Sequence, residues 1–279
     1  VGSPAAFGEV SAAVGAPFVV VDLSGPTAAA PGSVDRAGGA ARGAAGLPVV
    51  VVGAGRDGPG GLPAPVADLF DLVVADPEPV VATVEGSPQA AVTLVQVLRA
   101  SLSLPVPVAL AAESSAYSML QSGPEFARWR GAAQAYETPG AAAGVAPPVV
   151  VVVERTGDRL HLTLNRPGRH NAVNADMREQ LVAALLVACA DPTVGSVTLD
   201  GAGPSFCSGG DLAEFGTRPD PVTAHLVRLT RCPARLLAEL AARLEVRLHG
   251  ATIGAGLEMA AFARRVVAHP DTVLSLPEI

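Results

Sequence analysis

The sequence predicts an α/β protein in two segments, a well-patterned core over residues 149–279 preceded by a smaller α/β segment over 1–138. Three observations predict it. Short β-branched runs alternate with stretches of helical period, the order expected when crossover helices join parallel strands. Apolar residues make up 49% of the chain and charged residues 16%, enough to bury a core and too apolar for general disorder. The run Thr138-Pro139-Gly140 to Ala146-Pro147-Pro148 concentrates chain breakers, so 139–148 reads as a linker.

In chain order, Val runs at 18–23 and 49–55 read as strands. They parallel 160–165 and 196–203, and 81–92 parallels 245–256. Three matches in one order suggest a degenerate internal duplication. Short apolar runs also match by chance, which leaves an unrelated small α/β domain as the other reading. Residues 113–130, with Tyr117, Leu120, Phe126 and Trp129, read as a pair of amphipathic packing helices or an interface. After the linker, 149–153 is a β-branched run. Leu160, Leu162 and Leu164 alternate with His161, Thr163 and Asn165 at strand period. Asn174 can cap a helix that carries Met177, Leu181, Leu185 and Ala188 on one face. Residues 196–200 form a strand closed by Gly201-Ala202-Gly203-Pro204. A helical stretch covers about 222–244, then a strand at 246–248, a helix at 254–265, and strands at 266–268 and 273–276.

The basic residues other than His are all Arg, and the formal charge is −7. Such a chain is a poor candidate for non-specific nucleic-acid binding, while a local Arg pocket for a phosphorylated ligand stays open. Cys189, Cys207 and Cys232 give neither a disulfide framework nor a zinc pattern, which points to a reducing, cytoplasmic setting. The Val runs are far shorter than the ~18 residues of a spanning helix. The first residues lack the basic-then-apolar order of a signal peptide.

Gly53-Ala54-Gly55-Arg56-Asp57-Gly58 spells a dinucleotide fingerprint, but Pro59 and Pro63 prevent a helix from opening there, so it reads as a turn. Two other loops are more promising. Phe206-Cys207-Ser208-Gly209-Gly210-Asp211-Leu212 follows a strand, and adjacent glycines let backbone amides approach an anion. Gly250 through Glu258 opens a helix whose first-turn N–H groups lack intrahelical partners. One amide from each loop aimed at one oxygen would make an oxyanion hole; taken singly, each loop is an ordinary tight turn. Glu258 and Glu278 stand 20 residues apart, and chain reversal could set both over one substrate for proton transfer. Otherwise they are a helix-start carboxylate and an exposed loop carboxylate. Cys207 reads as a small half-buried residue rather than a nucleophile. His161, His225 and His269 lack ligand spacing, and His249 reads as a local hydrogen-bonding residue.

Leu164-Asn165-Arg166-Pro167 with Asn171-Ala172, then 206–212, 250–258 and Leu276-Pro277-Glu278-Ile279, occur in one order. On these motifs residues 149–279 resemble the crotonase (enoyl-CoA hydratase/isomerase) superfamily, covering the N-terminal half or more of its core. The resemblance implies a crotonase-like ββα spiral. It also implies that the amides of Gly210 and Ala255 polarise an acyl-CoA thioester carbonyl. By the same resemblance Glu258 activates water and Glu278 exchanges the proton at Cα. The loop 165–172, with Arg166, Arg169, Asn171 and Ala172, and the stretch Gly210, Asp211, Leu212 and Ala213 would hold the CoA moiety. Arg166 and Arg169 are the candidates for its phosphates. No metal or redox cofactor is implied, coenzyme A being part of the substrate, and a homo-oligomer (trimer or hexamer) is expected.

The pattern departs from the family in the charged strand Arg243 to Leu248, in His249, in Ala255 where Gly is common, and in Arg264. The Gly-rich segment and helices expected after the second Glu are absent, so truncation after Ile279 is expected. If Gly86 aligns with Gly250, Leu94 falls where Glu258 stands, and the first segment is expected to be non-catalytic. Hydration of a 2-enoyl-CoA is the leading expectation. Another reaction of the superfamily (isomerisation, thioester hydrolysis or cofactor-independent oxygenation) and a non-catalytic acyl-CoA-binding assembly subunit are the alternatives.

Overall fold

The computed structural model describes residues 15–23, 46–55, 67–132, 148–215, 217 and 220–277. Most of the expected linker, 139–147, lies outside them, as do Glu278 and Ile279. The chain forms two units, Val1–Pro105 with Ser122–Arg128, and Val106–Gln121 with Trp129–Ile279.

In the first unit β1 (Phe18–Asp22), β2 (Val50–Ala54) and β3 (Leu72–Val74) make a parallel sheet in the order β1-β2-β3. Helices α1 (Glu78–Gly86) and α2 (Pro88–Ser101) follow. The central strand is a continuous Val run because both its faces are covered. Val49 and Val51 meet Val19 and Phe70, while Val50 and Val52 meet Val84, Val92 and Val95. Asp71 binds the sheet to α2: its Oδ2 accepts from Val51 N at 2.7 Å and its Oδ1 from Arg99 Nε at 2.8 Å. Arg99 also donates to Val49 O at 3.0 Å.

Residues 81–86 are helical, so the third expected parallel with 245–256 does not hold. Pro79 suits a first helical turn, and Val80 and Val84, four residues apart, face the Val50–Val52 side of the sheet. That spacing outweighs the β-branched composition. Leu94 sits in α2.

The second unit contains α3 (Val106–Gln121), then α4 (Pro124–Ala132) from Trp129 on. The rest runs in order: β4 (Val151–Thr156), β5 (Arg159–Leu164), α5 (Ala175–Ala190), β6 (Ser196–Gly201), α6 (Pro221–Thr230), α7 (Pro233–Leu240) and β7 (Leu244–Leu248). Then come β8 (Ala251–Ile253), α8 (Ala255–Ala261), β9 (Arg265–Ala268) and β10 (Val273–Ser275). The main sheet has the order β4-β5-β6-β7-β9, with only the β4–β5 pair antiparallel. β8 and β10 form a second, parallel pair. Leu160, Leu162, Leu164, Val197, Leu199 and Val246 bury one face of the main sheet with Met177, Leu181 and Leu185 of α5 and Leu237 and Leu240 of α7. Asn174 caps α5 by accepting from Met177 N at 3.0 Å.

The helical stretch expected over 222–244 is two helices, parted at Arg231 and Cys232 because Pro233 cannot continue a helix. The helix expected to reach 265 stops at Ala261, and Arg265 already belongs to β9, paired with Glu245.

Candidate active site

The loop between β5 and α5 is organised by Asn171, which is fully buried with φ 55°. Asn tolerates this left-handed backbone, and both polar atoms of its side chain are hydrogen-bonded. Oδ1 accepts from Arg166 N at 2.7 Å, and Nδ2 donates to Ala202 O at 2.9 Å and Ser205 O at 2.8 Å. These bonds tie the loop to the one that follows β6. Arg166 reinforces the tie by donating to Ala172 O and to Asp211 Oδ2, the latter at 3.1 Å. Asp211 Oδ1 accepts from Ala213 N at 3.3 Å. The Arg166 guanidinium therefore has protein partners, whereas Arg169 is exposed and Leu212 is 48% exposed.

The loops after β6 and β8 are joined by main-chain bonds. Cys207 N donates to Ala251 O at 3.1 Å and Ile253 N donates to Cys207 O at 2.9 Å. Val173 N donates to Gly209 O at 2.8 Å and Asp211 N to Val173 O at 3.0 Å, a pattern that bypasses the Gly210 N–H. Gly209 has φ 94°, and a Cβ there would lie 3.1 Å from Ile253 O and 3.9 Å from Ala255 N. Gly256 is closer still: its Cβ would lie 2.6 Å from Cys207 O. The first turn of α8 thus lies against the Cys207–Gly210 loop, with Gly210 and Ala255 at the seam. Among the described residues no hydrogen-bond acceptor meets the N–H of either.

Glu258 lies one turn into α8, its N–H donating to Gly254 O at 3.0 Å, and it is exposed. Glu278 falls outside the described residues, but the path leading to it is defined. β10 runs parallel to β8 in the register Ser275↔Ile253, and Gly254 N donates to Ser275 O at 2.9 Å. The chain therefore leaves β10 beside the start of α8.

Cys207 is 0% exposed, and burial pushes its thiol up to about 11, partly offset by the backbone at Gly209. A protonated, enclosed thiol is no nucleophile near neutral pH, as expected, although the residue is fully buried rather than half-buried. His161 Nε2 lies 2.6 Å from Asp200 Oδ2, His225 Nδ1 lies 2.9 Å from Ser114 Oγ, and His249 Nε2 lies 3.0 Å from Gly203 O.

Two contributors escaped sequence reasoning. Glu214 accepts from Ala175 N through both carboxylate oxygens, at 3.1 and 2.8 Å, and so closes the start of α5. Phe215 sets its ring over Gly210: a Cβ on that glycine would be 3.0 Å from Phe215 Cε2. Ala175 lies 39 residues from Glu214, and although Phe215 is only five residues from Gly210, the Tyr117 and Trp129 rings beside it are distant in sequence, so no periodicity marks either role. A cavity of about 260 Å³ lies between α3, α6 and α7, with Leu110, Tyr117, Arg228 and Cys232 in its wall.

Crossover-linked parallel strands, with glycine-lined loops after β6 and β8 meeting at Gly210 and Ala255, define a crotonase-type α/β segment. Residues 160–279 match the family model described as enoyl-CoA hydratase/isomerase, which supports a crotonase-superfamily segment there. A Mycobacterium tuberculosis protein named as a probable enoyl-CoA hydratase is 39% identical over 117 residues, 39% of this chain and 43% of the relative. The Escherichia coli 2,3-dehydroadipyl-CoA hydratase is 33% identical over 132 residues, 46% of this chain and 50% of the relative. The chain spans about half the length of these curated relatives. A solved enoyl-CoA hydratase/carnithine racemase from Magnetospirillum magneticum is 26% identical with a TM-score of 0.42, covering 46% of this chain and 49% of that one.

Proposed function

We propose that the chain is an acyl-CoA enzyme that adds water across the double bond of a 2-enoyl-CoA. In this reading the N–H groups of Gly210 and Ala255 hold the thioester oxygen as negative charge builds on it. Glu258 takes a proton from water as its oxygen bonds to Cβ, and Glu278 delivers the proton to Cα. The exposed guanidinium of Arg169 meets CoA phosphate, while Arg166, Asn171, Ala172, Asp211, Leu212 and Ala213 shape the loop that receives the CoA moiety. The observation that carries the reading is the seam between the two loops: two amides without acceptors among the described residues, and a carboxylate one turn away. The β10–β8 register supports it by bringing Ser275 beside Ile253, just before the start of α8. Free thiols at Cys189, Cys207 and Cys232 support a reducing, cytoplasmic setting, and the family match supports a trimer or hexamer.

The test is hydration of crotonyl-CoA, followed by loss of the conjugated thioester absorbance. Glu258→Gln and Glu278→Gln should each lower kcat by about 10²–10⁴-fold while butyryl-CoA, which has no double bond to hydrate, still binds. Full activity in both variants would remove the roles assigned. Isomerisation is the second reading, favoured by the family model spanning both reactions. Double-bond migration in a 3-enoyl-CoA without water uptake would decide for it.

A further inference from the structure

Phe215 is held in an aromatic cluster by residues that precede the family-matched segment. Its ring centroid is 6.5 Å from that of Tyr117 on α3, the planes at 61°, and 6.2 Å from that of Trp129, the planes at 58°. The first is an edge geometry and the second a tilted one, both within the centroid range of favourable aromatic pairs. Tyr117 is anchored in turn. The Arg228 guanidinium stands 4.7 Å from its ring centroid, and Arg228 donates to Ser114 Oγ at 3.0 Å and Ser114 O at 3.2 Å, and also to Ser118 Oγ. Ser118 Oγ donates to Pro221 O at 2.7 Å, and Ser114 Oγ lies 2.9 Å from His225 Nδ1, so α3 is bonded along α6. The last link is the Phe215 ring over Gly210. A continuous packed path therefore runs from Arg228 through Tyr117 and Phe215 to the amide assigned to the thioester oxygen.

From this path we infer that Tyr117 and Trp129 are positioning residues of the acyl-CoA site, acting through Phe215 on the placement of the Gly210 N–H. The family match starts at residue 160, so this assigns the helices before it a part in the chemistry. The inference rests on the proposed acyl-CoA function and on the Gly210 role within it. An amide that binds the developing oxyanion more strongly than the ground-state carbonyl is felt in kcat. A donor displaced by a fraction of an ångström should therefore cost turnover and leave substrate binding nearly intact.

Trp129 is the one Trp of the chain, which makes the cluster directly observable. In the full-length protein, saturation with butyryl-CoA should shift the Trp129 emission maximum, and Phe215→Leu should abolish the shift while calorimetry still records binding. Tyr117→Leu and Trp129→Leu should each lower kcat on crotonyl-CoA by about 10- to 100-fold with KM within about twofold. Tyr117→Phe, which keeps the ring, should restore kcat. The emission measurement on the unaltered chain requires no variant to fold. Butyryl-CoA binding with unmoved emission, or Leu variants with unchanged kcat, would overturn the inference and leave the hydratase reading standing. An unaltered protein that neither binds butyryl-CoA nor turns over an enoyl-CoA would overturn both.

Discussion

Gly256 and the carbonyl of Cys207 are in contact so close that a Cβ on Gly256 would stand 2.6 Å from Cys207 O and 2.8 Å from Cys207 Cβ. Both obstacles are fixed by the bonds between the Cys207 loop and β8. Gly256→Ala must therefore push α8 away from the loop. We expect a loss of about 2 kcal/mol or more in urea unfolding, the usual scale of overpacking. Activity should fall beyond what the residual folded fraction explains, because Ala255 moves with the helix.

Asn171 sets two effects against each other. Replacing it by Ala or Gly removes all three side-chain bonds and leaves buried backbone groups unpaired, about 3 kcal/mol in either case. At φ 55° Ala adds roughly 1 kcal/mol of backbone strain that Gly avoids. Chemical denaturation should rank the natural protein above Asn171→Gly, and Asn171→Gly above Asn171→Ala. The reverse order for the two variants would mean that the loop gives up its left-handed turn.

Cys207 makes a pH prediction. Its thiol titrates at about 11 in the folded chain against a reference of 9.0, so the unfolded chain releases this proton first. The associated stability is fully present below pH 9 and is lost as pH rises from 9 toward 11, about 2–3 kcal/mol in all. Stability curves of the natural chain and Cys207→Ala should converge across that window. A thiol reagent at pH 8 should modify Cys189 and Cys232 and spare Cys207 until the protein unfolds.

In the first unit, Asp71 is 8% exposed and serves both Arg99 and the Val51 N–H. Asp71→Ala leaves a partly buried guanidinium and a strand amide without that partner, at a cost of about 3 kcal/mol. Hydrogen exchange at the Val51 amide should accelerate strongly. Arg99→Met, which keeps the aliphatic stem and removes the charge, should cost less if the Val51 bond is the dominant tie.

The strands of the main sheet were legible because their signal is local. Leu160, Leu162 and Leu164 alternate with polar residues, and all three are buried against α5 and α7. Val81 and Val84 misled because their residue type favours strands, while the four-residue spacing of Val84 from Val80 serves a helix. The two glycine loops could be picked out by sequence, but their meeting depends on Gly209 and Gly256 approaching main chain 44 and 49 residues away, and only coordinates show it. Arg166 illustrates a different limit. A guanidinium in a candidate phosphate loop looks available until Ala172 and Asp211 are seen to hold it. Glu214 and Phe215 carried no signal, since the cap on Ala175 and the contacts of Phe215 with the Tyr117 and Trp129 rings span long sequence separations and leave no periodicity.

Because Cys207, Ala251 and Ile253 are joined through peptide groups, these bonds do not depend on the chemistry of the Ala251 and Ile253 side chains. Substitution at half-buried Ala251 or Ile253 can leave those bonds in place, whereas Cys207, enclosed against Gly256, has no such freedom. Successive generations can in this way vary those two side chains while inheriting the same backbone junction.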